Sequence, residues 1–183
     1  MEIQNKPLVS PADFGAFPEK VQTVCRALSD MGIPFTGISH DHADTIEACK
    51  EIEAALGAPI CKNLFLCNQQ KTNFYLLIMP GDKPFKTKYL SKQIGSARLS
   101  FAGADAMERL LNISPGSVSA LGLFFDTEKQ VRFLIDRDLL AEDFWGFHPC
   151  LNTATLKIAR GDVTDVFLPR LGIEPTVVDL PAE

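Results

Sequence analysis

Residues 61–67 read Cys61-Lys62-Asn63-Leu64-Phe65-Leu66-Cys67, a nearly all-apolar run that contains a single lysine. Gly57 and Pro59 precede the run and Asn68-Gln69-Gln70 follow it, so its length and its flanking residues favour a strand over a helix. Apolar residues at both odd and even positions indicate burial on both faces. We therefore predict a central strand of a sheet here.

Lys62 needs an explanation, because an ammonium group carried into a low-dielectric interior must find a partner, reach water or lose its proton. The simplest explanation is that Lys62 lies at the strand end and reaches solvent along its aliphatic stem. On residue chemistry alone, that inert role is the more common one for a lysine. A functional role requires support from other parts of the chain.

Composition describes an ordinary globular domain. The 183 residues are 46% hydrophobic and 22% charged, which fits one domain with a substantial core. No apolar run reaches the roughly 18 residues of a membrane span, and Met1–Lys6 lacks the apolar core of a signal peptide. We therefore expect a cytoplasmic protein with no membrane partner. Its five cysteines form an odd set without a CxxC pair, so we expect reduced, mostly buried thiols.

The charge is unevenly distributed. A formal net charge of −5 gives no support to wholesale nucleic-acid binding, and we expect no DNA partner. Residues 71–98 nevertheless carry six basic side chains against Asp82 alone, namely Lys71, Lys83, Lys86, Lys88, Lys92 and Arg98. Such a block is usually a solvated surface. The alternative is a small surface that binds the phosphates of a nucleic acid.

The first half of the chain gives clear local patterns. Residues 1–16 carry two prolines and no sustained period, so they are expected to be an N-terminal extension packed loosely on a domain of residues 17–183. A helix from Pro18 to Gly32 has one apolar stripe. Asp44 is expected to cap a second helix, with Glu47 in the capping-box position. Residues 73–79 are predicted to pair with the central strand in an antiparallel hairpin.

The second half intersperses short helices and strands. Helices are predicted near 86–94, 103–111 and 163–171, with Pro169 marking a kink or an early end of the last one. Strands are predicted near 34–40, 131–135, 152–158 and 176–178, and residues 98–101 are a short apolar piece ahead of a helix. This order lacks the strict alternation of a Rossmann pattern. We therefore expect an α/β fold with one mixed, partly antiparallel sheet flanked by helices.

Several routine functional motifs are missing. The sequence has no GxGxxG, no GxxxxGK[ST] and no GxSxG. His40 and His42 with Asp41 and Asp44 suggest metal ligands, but no third histidine nearby completes a site, so we expect no metal and no cofactor. Cys61 with His148 is a thiol alternative, although a cysteine in an apolar strand is usually a core residue.

Four groups of residues together resemble a known family. They occur in the order and approximate spacing of the free-standing prolyl-tRNA editing proteins, the ProX group, which is similar to the YbaK proteins and to the editing domain inserted in bacterial prolyl-tRNA synthetases. The resemblance covers about residues 20–180. The groups are Lys62-Asn63-Leu64-Phe65-Leu66; Leu99-Ser100-Phe101; Pro115-Gly116-Ser117-Val118-Ser119 with Leu121-Gly122-Leu123; and Phe147-His148-Pro149 with Asn152-Thr153-Ala154-Thr155.

The resemblance implies a compact mixed sheet with flanking helices and a hydrolytic activity on mischarged tRNA(Pro), with prolyl-tRNA synthetase as a further candidate partner. Lys62 falls on the lysine that family members require. The resemblance also implies two groups of substrate-binding residues: Gly116, Ser117, Val118 and Ser119 in a glycine loop near the terminal adenosine, and His148, Asn152 and Thr153 lining the aminoacyl pocket.

The amino acid removed is the open point of this resemblance. The ProX group usually clears alanine from tRNA(Pro), and the YbaK group clears cysteine. Several relatives carry a proline four residues after the loop glycine, where this chain has Ala120, and this departure bears on the shape of the small pocket. Ala-tRNA(Pro) is the expected substrate, and Cys-tRNA(Pro) is the alternative.

The same resemblance gives the basic block a candidate role. Contacts with the acceptor stem of the tRNA are expected from Lys83, Lys86, Lys88, Lys92 and Arg98. A different class of function also fits these residues: a non-catalytic tRNA-binding module of the same fold.

Overall fold

The computed structural model describes residues 1–4 and 6–183. Its strands are β1 (Thr36–Ser39), β2 (Cys61–Asn68), β3 (Phe74–Pro80), β4 (Leu99–Phe101), β5 (Val131–Asp136), β6 (Phe144–Phe147), β7 (Ala154–Ala159) and β8 (Thr176–Val178). They form a five-stranded sheet in the order β4-β2-β3-β5-β8 and a three-stranded sheet in the order β1-β7-β6.

The helices are α1 (Glu19–Asp30), α2 (Ile46–Leu56), α3 (Thr87–Ile94), α4 (Ala104–Ala106), α5 (Arg160–Asp162) and α6 (Leu168–Arg170). A π-helical turn, Met107–Leu111, continues α4, and another, Val163–Phe167, joins α5 to α6. Short 3₁₀ helices lie at Pro11–Phe14, Ala120–Phe125 and Arg137–Ala141. No helix of the described residues is long and apolar enough to cross a membrane.

The β2–β3 hairpin confirms the prediction made from residues 61–67. The two strands pair antiparallel from Cys61 opposite Pro80 to Cys67 opposite Phe74, and β4 pairs on the other edge of β2. Strand β3 then pairs parallel with β5. β2 is thus an interior strand, and it is buried on both faces over its second half.

Alternation along β2 divides its side chains between two apolar clusters. Phe65 and Cys67 contribute to the main core, which lies on one face of the five-stranded sheet. Leu66 points to the other face, where it joins a smaller cluster with Leu90 of α3 and Leu99 of β4. The first half of β2 carries the polar pair Lys62 and Asn63, so these two side chains leave the strand on opposite faces.

The α/β class and the mixed, partly antiparallel pairing are confirmed, but the prediction of a single sheet was wrong. A parallel bridge between Ile60 and Gly146 connects the two sheets. Gly146 permits this approach, because a Cβ there would lie 3.1 Å from the Pro59 carbonyl oxygen and 3.3 Å from the Ile60 Cα. Strand patterning indicates which residues are buried but not which strands share a sheet.

The N-terminal residues are packed more closely than expected. Leu8 pairs with Gly37 in an isolated bridge, and Ile3 pairs with His40. Leu8 and Phe14 are both buried, and Phe14 belongs to the main core. The expectation of a loosely packed extension is corrected, because this segment adds apolar side chains to the domain.

Helices α1 and α2 form where the sequence predicts them, with one correction at a cap. The predicted stripe of α1 is buried at Val21, Val24, Cys25 and Leu28. Thr45, not Asp44, caps α2, because its Oγ1 accepts a hydrogen bond of 3.1 Å from the Ala48 N–H. Pro169 lies inside α6, and the helix continues past it to Arg170, one residue short of the predicted end.

Candidate functional site

Lys62 is half-buried at the start of β2. Its Nζ donates a hydrogen bond of 2.6 Å to the carbonyl oxygen of Lys83. Burial lowers the pKa of Lys62, and the charge of Asp82 partly opposes that effect. Lys62 is therefore a partly desolvated cation held by a backbone carbonyl, which differs from a lysine free in bulk solvent.

Lys83 is placed differently from the expectation. It is 7% exposed, and its Nζ lies 2.7 Å from Asp136 Oδ2, 2.8 Å from Asp138 Oδ2 and 2.8 Å from the Leu180 carbonyl oxygen. Burial acts to lower the pKa of Lys83, but the bonds to both carboxylates outweigh it and raise the pKa. The expectation that Lys83 contacts tRNA is corrected, since its charge is already neutralised inside the protein.

The other four members of the basic block stay on the surface. Lys86 precedes α3, Lys88 and Lys92 lie on that helix, and Arg98 immediately precedes β4; all four are exposed. The Lys88 ammonium lies 5.0 Å from the centre of the Tyr89 ring. These four charges remain available to an external partner.

Asn63 connects β2 to the glycine turn. Its Oδ1 accepts a hydrogen bond of 2.8 Å from the Ala120 N–H, and its Nδ2 donates one of 2.9 Å to the Cys61 carbonyl oxygen. Gly116, in the turn before Ala120, has a φ of +89°, which favours glycine. Asn63 was quoted within a motif without a role, and its position directly after Lys62 was the available signal.

The serines of the glycine turn have structural partners. The Ser117 N–H donates to the Ser114 carbonyl oxygen. Ser119 is fully buried, and its Oγ accepts a hydrogen bond from the Leu121 N–H at the start of the 3₁₀ helix. The Ser119 hydroxyl is therefore a helix cap, and the prediction that Ser119 binds substrate concerns its backbone. Within the described residues, the N–H groups of Gly116 and Val118 have no hydrogen-bond partner.

His148 lies in a short hydrogen-bonded chain that ends at His40. The His148 Nδ1 is 2.9 Å from the Ala154 carbonyl oxygen and 3.3 Å from the Thr155 hydroxyl. The same hydroxyl lies 2.8 Å from His40 Nε2, and His40 Nδ1 is 2.6 Å from the Asp41 carbonyl oxygen. Because a carbonyl oxygen only accepts, Nδ1 carries the proton in both rings, an assignment made from the hydrogen bonds.

Both imidazoles favour the neutral form. Burial lowers the pKa of His148 and of His40, and in each ring a hydrogen bond to a backbone carbonyl partly opposes the shift. Neutral His148 therefore presents a lone pair on Nε2, which can accept a hydrogen bond or a proton. Thr155 was quoted within a motif without a role, and His40 was considered only as a metal ligand.

Cys61 does not support the thiol alternative. It is buried in β2, and this burial raises the pKa of its thiol. A nucleophilic cysteine needs a lowered pKa and access to substrate. Cys61 is therefore a core residue.

Asn152 and Thr153 lie at the turn before β7. Asn152 is buried; its Oδ1 accepts a hydrogen bond of 3.3 Å from the Ala43 N–H, and its Nδ2 donates one of 3.3 Å to Asp44. Its amide thus fixes the segment before α2. Thr153 lines a cleft of about 440 Å³ that is also lined by His40 and Asp41.

Three connections converge on the first residues of β2. Ile60 pairs with Gly146, Lys62 binds the Lys83 carbonyl, and Asn63 binds Ala120. Lys62 and His148 each lie two residues after the Ile60–Gly146 bridge. The structure therefore brings together the segments that contain Lys62, the glycine turn and His148. The side chains of Lys62 and Asn63 point to opposite faces of β2.

Comparisons with known proteins agree on one family. Residues 40–166 match the family described as the aminoacyl-tRNA editing domain. The chain is 32% identical over 145 residues to the prolyl-tRNA editing protein ProX of Acetoanaerobium sticklandii, covering 79% of this chain and 88% of that protein. It is 30% identical over 156 residues to the prolyl-tRNA synthetase associated domain-containing protein 1 of Mus musculus, covering 83% of this chain and 91% of that protein.

Solved structures share the fold. A protein proposed to be a trans-editing enzyme for prolyl-tRNA synthetase superposes with a TM-score of 0.68 at 19% identity, covering 91% of this chain and 99% of its own. The hypothetical protein APE2540 superposes with a TM-score of 0.65 at 20% identity, covering 87% of this chain and 97% of its own. At these identities the likeness concerns the fold alone.

Proposed function

The chain belongs to the aminoacyl-tRNA editing domain family, and from that membership we propose that it is a trans-editing deacylase acting on mischarged tRNA(Pro). The reaction is hydrolysis of the carboxylic ester that joins a wrong amino acid to the tRNA. Alanine is the proposed amino acid, and the cytoplasm the proposed place of action. The synthetase that charges tRNA(Pro) is a further proposed partner.

The observation that carries this proposal is the extent of the family match. The match over residues 40–166 contains Lys62, the glycine turn at Gly116 and the segment from His148 to Thr153. These are the residues that the sequence motifs singled out. The proposal therefore concerns a whole site and does not depend on one isolated motif.

The chemistry asks little of the protein. The ester is already activated, so a water molecule, positioned by the protein or by the free ribose hydroxyl of the substrate, can attack it without a covalent enzyme intermediate. The water oxygen adds to the ester carbonyl carbon to give a tetrahedral oxyanion. This intermediate collapses as the bond to the ribose oxygen breaks, and a proton of the water passes to that ribose oxygen. The protein then has to hold the ester and stabilise the oxyanion.

Lys62 is the proposed catalytic residue, since a partly desolvated ammonium group interacts more strongly with a phosphate or developing oxyanion than a solvated one does. The free N–H groups of Gly116 and Val118 lie in the turn that Asn63 contacts, and they are proposed to bind near the terminal adenosine. Neutral His148 can accept a hydrogen bond at Nε2 from the nucleophile. Asn152 and Thr153 are proposed to shape the wall of the aminoacyl pocket.

Alanine is favoured because an editing pocket selects amino acids that are smaller than proline. A synthetase built for proline cannot reject a smaller amino acid by size alone, so a separate pocket must admit the small side chain and exclude the proline ring. The 32% identity to a protein named as a prolyl-tRNA editing protein supports tRNA(Pro) as the substrate. The choice of alanine over cysteine rests on the resemblance of the sequence motifs to the ProX group.

The decisive experiment is a deacylation assay with Ala-, Cys-, Ser- and Pro-tRNA(Pro). The proposal expects rapid hydrolysis of Ala-tRNA(Pro) and survival of Pro-tRNA(Pro). Preferred hydrolysis of Cys-tRNA(Pro) would reassign the substrate. Binding of all four without hydrolysis would favour the non-catalytic module.

A further inference from the structure

Two phenylalanines form an exposed shelf beside the basic block. Phe101, on strand β4, is 60% exposed, and its ring centre lies 6.2 Å from that of the half-buried Phe85 in an edge-to-face arrangement. Leu64 of β2, also half-buried, packs against the same small cluster as Phe85. We call Leu64, Phe85 and Phe101 the aromatic shelf.

The aromatic shelf and Lys62 lie on the same face of the five-stranded sheet. Phe101 pairs with Leu66, and alternation puts Lys62, Leu64 and Leu66 on one side of β2. Phe85 comes two residues after Lys83, whose carbonyl oxygen holds the Lys62 ammonium group. Leu66 is four residues from Lys62, which places Phe101 roughly 13 Å along the sheet from the proposed catalytic residue.

The shelf is also bordered by free positive charge. Lys86 follows Phe85 directly, and Arg98 precedes Phe101 by three residues; both are exposed. Lys88 and Lys92 extend the charge along α3. Strand β4 is an edge strand, so its outer side is not covered by another strand of the sheet.

An exposed aromatic ring flanked by basic side chains fits single-stranded nucleic acid. Bases stack on aromatic rings without sequence preference, and neighbouring lysines and arginines follow the phosphates. A protein partner that needed only an apolar surface would gain nothing from the neighbouring exposed cations. The charge complementarity therefore selects RNA as the occupant of the shelf.

We propose that Phe101 stacks a base of the single-stranded 3′ end of the tRNA while Lys62 engages the ester beyond it. This inference rests on the proposed function, because the deacylase reaction is what brings a tRNA 3′ end to Lys62. It assigns Phe101 as an RNA-binding residue and not as a catalytic one. Stacking would position the terminal nucleotides before hydrolysis.

A tryptophan at the shelf gives a direct test. The natural Trp145 is fully buried, so Phe101→Trp would add an exposed fluorophore. Titration with the RNA trinucleotide CCA should quench this new fluorescence in a saturable manner. Ribose 5-phosphate, which carries charge but no base, should not quench it.

Phe144 supplies the matched control. It is 42% exposed on β6 of the other sheet, and the Lys157 ammonium lies 4.4 Å from its ring centre. Phe144→Trp should show no saturable quenching by CCA. Equal quenching at both positions, or none in Phe101→Trp, would overturn the inference.

Kinetics give the second measurement. Phe101→Ala should raise KM for Ala-tRNA(Pro) by roughly 10-fold or more with little change in kcat, and Phe144→Ala should change neither. An unchanged KM in Phe101→Ala would also overturn the inference. If the parent protein deacylated no tRNA(Pro) while CCA still quenched Phe101→Trp, the proposed function would fail and the RNA-binding shelf would stand.

Discussion

The Nζ of Lys62 donates a 2.6 Å hydrogen bond to the carbonyl oxygen of Lys83. The Lys83 side chain in turn forms ion pairs with the buried Asp136 and with the exposed Asp138. The exposed lysine expected at residue 83 is thus a structural support, and the backbone at that residue fixes the direction of Lys62. Two lysines that the sequence treats separately form one unit.

Lys62→Ala should abolish most turnover and leave the fold intact. Removing one charge that stabilises the oxyanion typically lowers kcat by about 10²- to 10³-fold. The rate of Ala-tRNA(Pro) hydrolysis checks this, with urea unfolding to confirm the fold. Lys157→Ala, at another half-buried strand lysine, is the control and should keep the parent rate. A parent rate in Lys62→Ala would refute the mechanism.

Lys83→Met should destabilise the protein by about 3–5 kcal/mol, because it leaves the fully buried Asp136 carboxylate without its cation. Urea unfolding at neutral pH measures the change. Lys86→Met, on the exposed neighbour, should stay within about 0.5 kcal/mol of the parent. Equal stability of the two variants would mean that the Lys83–Asp136 pair does not form.

Asn63→Ala should cost about 1–3 kcal/mol in the free energy of unfolding, since the buried Ala120 N–H loses its acceptor. Hydrolysis should also slow, because this bond holds the end of the glycine turn. Asn63→Asp keeps the Oδ1 acceptor and should lose less of both. If the two variants lost equal activity, the contact with Ala120 would not be the cause.

The β2–β3 hairpin could be predicted because its signal is local. The apolar run of residues 61–67, the polar turn after it and the second apolar run each constrain neighbouring residues. The stripe of α1 follows from spacing in the same way. The family motifs also identified the segments that converge on the start of β2.

Long-range partners could not be predicted from local patterns. Lys83 counts as one more positive charge in the sequence, and its partner Asp136 lies 53 residues away. Thr155 and His40 are separated by 115 residues, so nothing local indicates their hydrogen bond. Ser119 was assigned to substrate because its motif is shared, but its burial depends on the packing of the following 3₁₀ helix.

Stability should fall as the pH drops below about 6.5. Burial lowers the pKa of His40 and His148 in the folded state, so below the ordinary histidine pKa the unfolded chain binds more protons. The free energy of unfolding therefore rises with pH across this window. Urea unfolding between about pH 5 and pH 7.5 measures the slope. This range spans the ordinary histidine pKa and stays above the ordinary pKa values of aspartate and glutamate.

His40→Gln should flatten that slope by up to about 1.4 kcal/mol per pH unit, because one buried titrating group is removed. His42→Gln, on an exposed neighbour whose charge is the smallest of the causes that act on the His40 pKa, is the matched control and should change the slope far less. An unchanged slope in His40→Gln would show that His40 does not resist protonation in the folded protein.

Charge reversal of Lys86, Lys88 and Lys92 to glutamate should weaken tRNA binding and flatten its salt dependence. If all three lysines contact phosphates, the slope of log K against log salt concentration should fall by about 2 to 3, at roughly 0.7–0.9 per contact. Reversal of the exposed Arg26, Lys50 and Arg170 makes the same change in net charge away from α3 and serves as control. The basic block binds tRNA only if the first set loses far more affinity than the second. Equal losses would reduce it to a solvated face.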